Sequence, residues 1–159
     1  MNIWPDIVVG LWLLYAAWED WRERMIDLGV PVAIVLTRVA VEGPWFLFSA
    51  IPSLALFYLF LLLLERYHEL VTKFGLPGPR DPIWYDGDTY LLMGVSIYLG
   101  LTSVQALAFM LASLISTAIF YIVFNVGSGK RIAEVLNEPM PFSPGVLITF
   151  AILLHLRVL

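Results

Sequence analysis

Leu54-Ala55-Leu56-Phe57-Tyr58-Leu59-Phe60-Leu61-Leu62-Leu63-Leu64 is the stretch that decides the fold class. Apolar side chains follow one another without a break. A strand of a transmembrane barrel would alternate apolar and polar residues, so an unbroken block of this kind favours a helix. Taken back to Trp45, the run reaches about 20 residues, enough to cross a hydrocarbon core of roughly 30 Å.

The rest of the chain has the same character. Of its 159 residues, 60% are hydrophobic and 14% charged, against about 25% charged in soluble domains. The mean hydropathy is +0.86. These values predict an all-α, multi-pass membrane protein with about six transmembrane helices, forming one domain over residues 1–159. The net charge is −4, and no basic patch suited to nucleic acid is visible. Arg22/Arg24 and Lys130/Arg131 are short pairs of loop charges. There is no cysteine, hence no disulfide or thiol chemistry. Met1 to Asp6 contains no basic residue, so the first apolar run reads as a permanent helix rather than a signal peptide.

Six helices are expected in order. They are Pro5 to Trp21, Leu28 to Val41, Trp45 to Leu64, Asp88 to Leu101, Val104 to Val126, and Pro144 to the C-terminus. The second is short, about 14 residues, a length common in re-entrant or buried helices. Glu65 to Phe74 can continue the third helix, whereas Gly75 to Pro82 is too rich in Gly and Pro to be helical. Loops one, three and five hold Arg22, Arg24, Arg66, Lys73, Arg80, Lys130 and Arg131, and the opposite side holds only Arg38 and Arg157. The positive-inside rule then puts the odd loops in the cytoplasm and the N-terminus outside.

Two acids adjoin apolar runs. Asp20 closes the first run, and Asp88 opens the fourth within Trp84-Tyr85-Asp86-Gly87-Asp88. An aspartate in a membrane helix costs roughly 2.5–3.5 kcal/mol at mid-helix and less near the interface. By the topology above, both lie at the cytoplasmic face. Two carboxylates that converge on one water can activate it: one takes the proton while the other, protonated, polarises a carbonyl. The plainer alternatives are that Asp88 caps the fourth helix and that Asp20 pairs with Arg24 at i,i+4.

The spacing resembles a known family. Tyr85-Asp86-Gly87-Asp88 is similar to the GxGD motif of the type IV prepilin peptidases, membrane aspartic proteases that include the archaeal preflagellin peptidases. Asp20-Trp21-Arg22-Glu23-Arg24-Met25-Ile26 fits the family's earlier Asp-x-x-x-Arg-x-Ile motif. Pro141-Phe142-Ser143-Pro144 matches its Pro-Phe-x-Pro element. Two departures stand out. Tyr85 replaces the first Gly of GxGD, and Thr89-Tyr90 stands where the family often has a hydrophobic residue and Lys.

The resemblance implies an aspartic endopeptidase in the cell membrane, with Asp20 and Asp88 catalytic and Gly87, Asp86, Tyr85 and Arg24 shaping the site. The substrates it implies are pilin-like or archaellin precursors, cut at the cytoplasmic face behind a short basic leader. It implies no cofactor and no metal. It also implies the peptidase part alone, without the N-terminal methyltransferase region of many bacterial members. Membrane lipid is the other expected partner. The alternatives are a non-catalytic transporter or assembly subunit, and an inactive member of the family.

Other residues read as structural. Glu19, Asp27 and Asp86 read as helix-end or turn charges, and Asp6 lies on the opposite face. His68 and His155 are far apart and no HExxH occurs, so no metal site is expected. Gly127 to Arg131 reads as a flexible basic loop. Ser113, Ser116 and Thr117 suit close helix packing. Trp4, Trp18, Trp21, Trp45, Trp84, Tyr90 and Tyr98 suggest an interfacial aromatic belt.

Overall fold

The computed structural model describes residues 3–74, 86–131 and 140–158. Among them are six α-helices: α1 (Trp4–Glu23), α2 (Gly29–Glu42), α3 (Leu47–Phe74), α4 (Asp86–Leu99), α5 (Ser103–Gly127) and α6 (Ser143–Val158). A 3-10 turn, Pro44–Phe46, precedes α3. No strand occurs among the described residues, so the all-α class expected from the apolar blocks is observed.

Local chemistry sets the helix ends. Pro5 sits in the first turn of α1, where its missing N–H is not needed. Arg24 ends that helix in the left-handed conformation (φ 58°), and its N–H donates to the Asp20 carbonyl at 3.0 Å. Glycine is the usual occupant of such a cap. Between α2 and α3, Gly43 takes φ +79°, and the axis swings by 118° from Gly29–Glu42 to Pro44–Pro52. The α5 N-terminus carries a reciprocal cap. Thr102 Oγ1 accepts from the Gln105 N–H, and Gln105 Oε1 accepts from the Thr102 N–H at 2.9 Å.

Side-chain contacts fix the helix directions. The Tyr98 hydroxyl, near the end of α4, donates to Asp6 Oδ1 at the start of α1 (2.6 Å). At the other end of α4, Gly87 abuts Ile26, just past α1. Hence α1 and α4 run in opposite directions. Pro31 packs on Gly94, and Arg38 Nη1 donates to the Tyr98 carbonyl, so α2 runs alongside α4 in the same sense. Trp21 packs edge-on against Tyr121 and Phe124 near the end of α5. The C-terminal ends of α1 and α5 therefore meet the N-terminal ends of α2, α4 and α6.

The core gathers Val9, Leu13 and Ala16 of α1 with Val30 and Ile34 of α2, Leu91, Leu92 and Val95 of α4, and Val146 and Phe150 of α6. The α1 residues follow the i, i+4, i+7 pattern of one helix face. In α5 apolar residues lie on both faces, with Ala106, Phe109, Met110 and Tyr121 buried. Leu107, Leu111, Ile115, Ile119 and Val123 face outward, whereas Ser113, Thr117 and Asn125 are buried. A helix 25 residues long, at 1.5 Å per residue, spans about 37 Å. Among the described residues α5 is the one helix long and apolar enough on its own to cross a membrane. The apolar part of α6, Ser143–Leu156, is shorter.

Several boundaries differ from expectation. α4 opens at Asp86 rather than near Asp88 and closes at Leu99 rather than Leu101, whereas α3 runs on to Phe74, the continuation that the sequence allowed. The aromatic residues divide into two groups. Trp4, Trp18 and Trp45 are exposed, as a belt requires, but Tyr98 is buried and bonded to Asp6, and Trp21 packs on α5. Trp84 lies outside the described residues.

Candidate active site

The helix ends that meet at one end of the bundle carry all three motif segments. Asp20 sits in the last turn of α1 and is 5% exposed. Its Oδ2 accepts two hydrogen bonds from Ser143, one from the backbone N–H at 2.8 Å and one from the hydroxyl at 2.9 Å. The backbone bond has a simple origin. Ser143 is the first residue of α6, and the leading N–H groups of a helix have no partner within it. A carboxylate there satisfies one such group and meets the positive end of the helix dipole.

Asp88 is the third residue of α4 and 6% exposed. It lies inside the first turn, so it does not cap the helix as the plainer reading expected. Thr89 beside it is fully buried. Gly87 faces the α1–α2 connection: a Cβ there would stand 3.3 Å from Ile26 Cβ and 3.4 Å from the Ile26 carbonyl oxygen. The close backbone approach that this glycine permits is thus to Ile26, six residues after Asp20.

Arg24 does not pair with Asp20. Its guanidinium lies over the rings of Trp21 (6.0 Å) and Tyr121 (5.8 Å), and Nη1 is buried with no hydrogen-bond partner. Its backbone caps α1 four residues after Asp20, and its guanidinium rests on this aromatic contact. Of Asp86 only the backbone is described, as the opening residue of α4. Tyr85 lies outside the described residues.

Two further acids at this end have local duties. Glu19 Oε2 accepts from the Asp27 N–H at 2.9 Å, and Asp27 Oδ1 accepts from the Gly29 N–H at 2.7 Å. Together they tie down the connection that Gly87 packs against. Among the described residues no three His, Cys, Asp or Glu side chains gather closely enough to hold a metal ion.

The Pro-Phe-x-Pro segment is held from a second side. Thr117 Oγ1 of α5 donates to the Phe142 carbonyl at 3.0 Å. One turn on, Gly145 lies so close to α5 that a Cβ would collide with Thr117 Oγ1 and the Ser113 carbonyl. Thr149 Oγ1 donates to Ser116 Oγ at 3.2 Å. The three hydroxyl residues of α5 expected to serve helix packing therefore all lie at the α5–α6 contact. Sequence reading missed Ser143, which occupies the open position of its motif. The signal available was its place immediately before a proline at a helix start, where an orphan N–H is expected.

No protein-family model, curated protein or solved structure matches the chain.

Proposed function

We propose that this chain is a multi-pass membrane aspartic endopeptidase that removes the basic leader from pilin-like or archaellin precursors at the cytoplasmic face. The observation that carries the reading is the convergence of three distant segments at one end of the bundle. Asp20, Asp88 and the Pro141–Pro144 element are far apart in sequence, yet Ser143 bonds Asp20, and Gly87 packs on the loop that follows Asp20. Both aspartates are almost fully buried. Retaining two such groups in an apolar bundle is costly unless they have a partner or a function.

Five helices, α1, α2, α4, α5 and α6, alternate in direction through the contacts described above, and the outward faces of α1 and α5 are lined by Leu, Ile, Val and Trp. Such a surface suits lipid, and we read the bundle as crossing the membrane six times with its N-terminus outside. The positive-inside distribution of Lys and Arg supports that orientation.

In this reading one aspartate accepts a proton from water while the other, protonated, hydrogen-bonds the scissile carbonyl. The proton then passes to the leaving amine as the C–N bond breaks. An acidic site at the inner interface attracts a basic leader, and the precursor's apolar helix remains in the bilayer. The test is co-expression with a pilin-like precursor from the same source, comparing wild type with Asp20→Asn and Asp88→Asn. Cleavage lost in both variants at equal protein level supports the proposal. A wild-type chain that leaves such precursors uncut overturns it.

A further inference from the structure

From the doubly bonded Asp20 carboxylate we infer that the Ser143 hydroxyl is a positioning residue that fixes Asp20 for catalysis, an inference that rests on the peptidase reading above. Ser143 offers Oδ2 two donors of different kinds. The backbone N–H at 2.8 Å would be present with any residue there except proline, whereas the hydroxyl at 2.9 Å belongs to this side chain. The Pro-Phe-x-Pro pattern leaves position 143 open, so the hydroxyl is a feature of this chain rather than of the motif.

The geometry favours positioning over simple anchoring. One donor already satisfies the helix start and meets the carboxylate. The Phe142 backbone N–H also reaches the Asp20 carboxyl, so the hydroxyl adds to two backbone donors and further restricts its rotation. Ser143 is itself fully buried and closely held. The carbonyl of the preceding residue, Phe142, accepts from Thr117 and from the Gly145 N–H (3.0 Å), so the donor pair has a fixed base on α5 and α6. The rigid α5–α6 contact at Gly145 thus transmits its order to Asp20. A catalytic carboxylate held by a well-packed neighbour loses rate when the hold is loosened, because a small misplacement affects the transition state more than substrate binding.

The test uses the full-length protein in detergent or proteoliposomes with a purified precursor. Wild type, Asp20→Asn, Ser143→Ala and Ser143→Thr are compared for kcat and KM. Ser143→Ala keeps the backbone donor and removes the hydroxyl. It is expected to lower kcat about tenfold or more with KM within about twofold of wild type, in line with loss of a hydrogen bond to a charged group. Ser143→Thr restores a hydroxyl and is expected to recover most of the rate. A merely structural role would lower the amount of folded protein and leave kcat per folded molecule unchanged, and that result overturns the inference while the peptidase reading stands. Should Ser143→Ala fail to accumulate, Ser143→Cys keeps the size and weakens the donor. A reduced kcat at unchanged KM then supports positioning, and a wild-type kcat overturns it. A wild-type protein that cleaves no precursor removes the peptidase reading and this inference together.

Discussion

Ser143 donates both its backbone N–H and its hydroxyl to one oxygen of Asp20, across 123 residues of sequence. The bond joins the end of the first helix to the start of the last. It makes the final helix part of the candidate active site, although that helix contributes no acid of its own. The consequences extend along the α5–α6 contact, and each can be measured.

Gly145 is the tightest point of that contact. A Cβ there would overlap Thr117 Oγ1 and the Ser113 carbonyl. Backbone atoms cannot give way as a flexible side-chain tip does, so Gly145→Ala should push α6 away from α5. The expected cost is about 3 kcal/mol, at the upper end for overpacking. Thermal unfolding in detergent should show a large loss for Gly145→Ala. No loss, or a small gain, is expected for Gly10→Ala, a position inside α1 where the added atom meets nothing within 4 Å.

Thr117→Val keeps the shape of the side chain but removes its bond to the Phe142 carbonyl. That carbonyl keeps its bond from the Gly145 N–H (3.0 Å), so it is not stranded. The destabilisation should be about 1 kcal/mol. Because the bond steadies the segment that carries Ser143, kcat should fall as well, by less than in Ser143→Ala. Equal kcat in wild type and Thr117→Val would show that the base of the donor pair is not needed for rate.

Gly87 tests whether packing on the α1–α2 connection requires a glycine before Asp88. Its added Cβ would meet Ile26 Cβ at 3.3 Å, a distance that a small shift of the Ile26 side chain relieves. Gly87→Ala should therefore accumulate as folded protein with a modest loss of stability, about 1 kcal/mol. Gly87→Val adds a branched side chain against the Ile26 backbone and should cost several times more. If both variants are equally stable, the packing of Gly87 on the α1–α2 connection does not limit this position.

Tyr98→Phe serves as a control at the far end of the bundle. It removes the 2.6 Å bond to Asp6 and should cost about 1.5 kcal/mol, as expected for a hydrogen bond to a charged acceptor. Cleavage per folded molecule should be unchanged, because Asp6 and Tyr98 lie at the opposite end from Asp20 and Asp88.

Much of the architecture was legible because unbroken apolar runs leave few options. Leu54–Leu64 and Val104–Val126 read as helices and are helical, whereas the fourth helix, expected to reach Leu101, ends at Leu99 before the positive φ of Gly100, with Thr102 capping α5. That Asp20 and Asp88 adjoin apolar runs was visible in the sequence, but their near-complete burial was not. Other features depend on contacts that no local pattern encodes. Arg24 could equally have paired with Asp20 at i,i+4, but its guanidinium settled over two aromatic rings while Asp20 turned to Ser143. Tyr98 resembled an interfacial aromatic residue until its partner, Asp6, came from a helix 92 residues away. Ser143 was hidden for the same reason: its partner is distant, and its motif does not specify the residue.

We propose that Asp20 and Asp88 form one catalytic pair. The direct test is leader removal from a co-expressed pilin-like precursor by wild type, Asp20→Asn and Asp88→Asn, at matched levels of folded membrane protein. Wild type should cleave the precursor and neither variant should. Full cleavage by Asp20→Asn or by Asp88→Asn would contradict it.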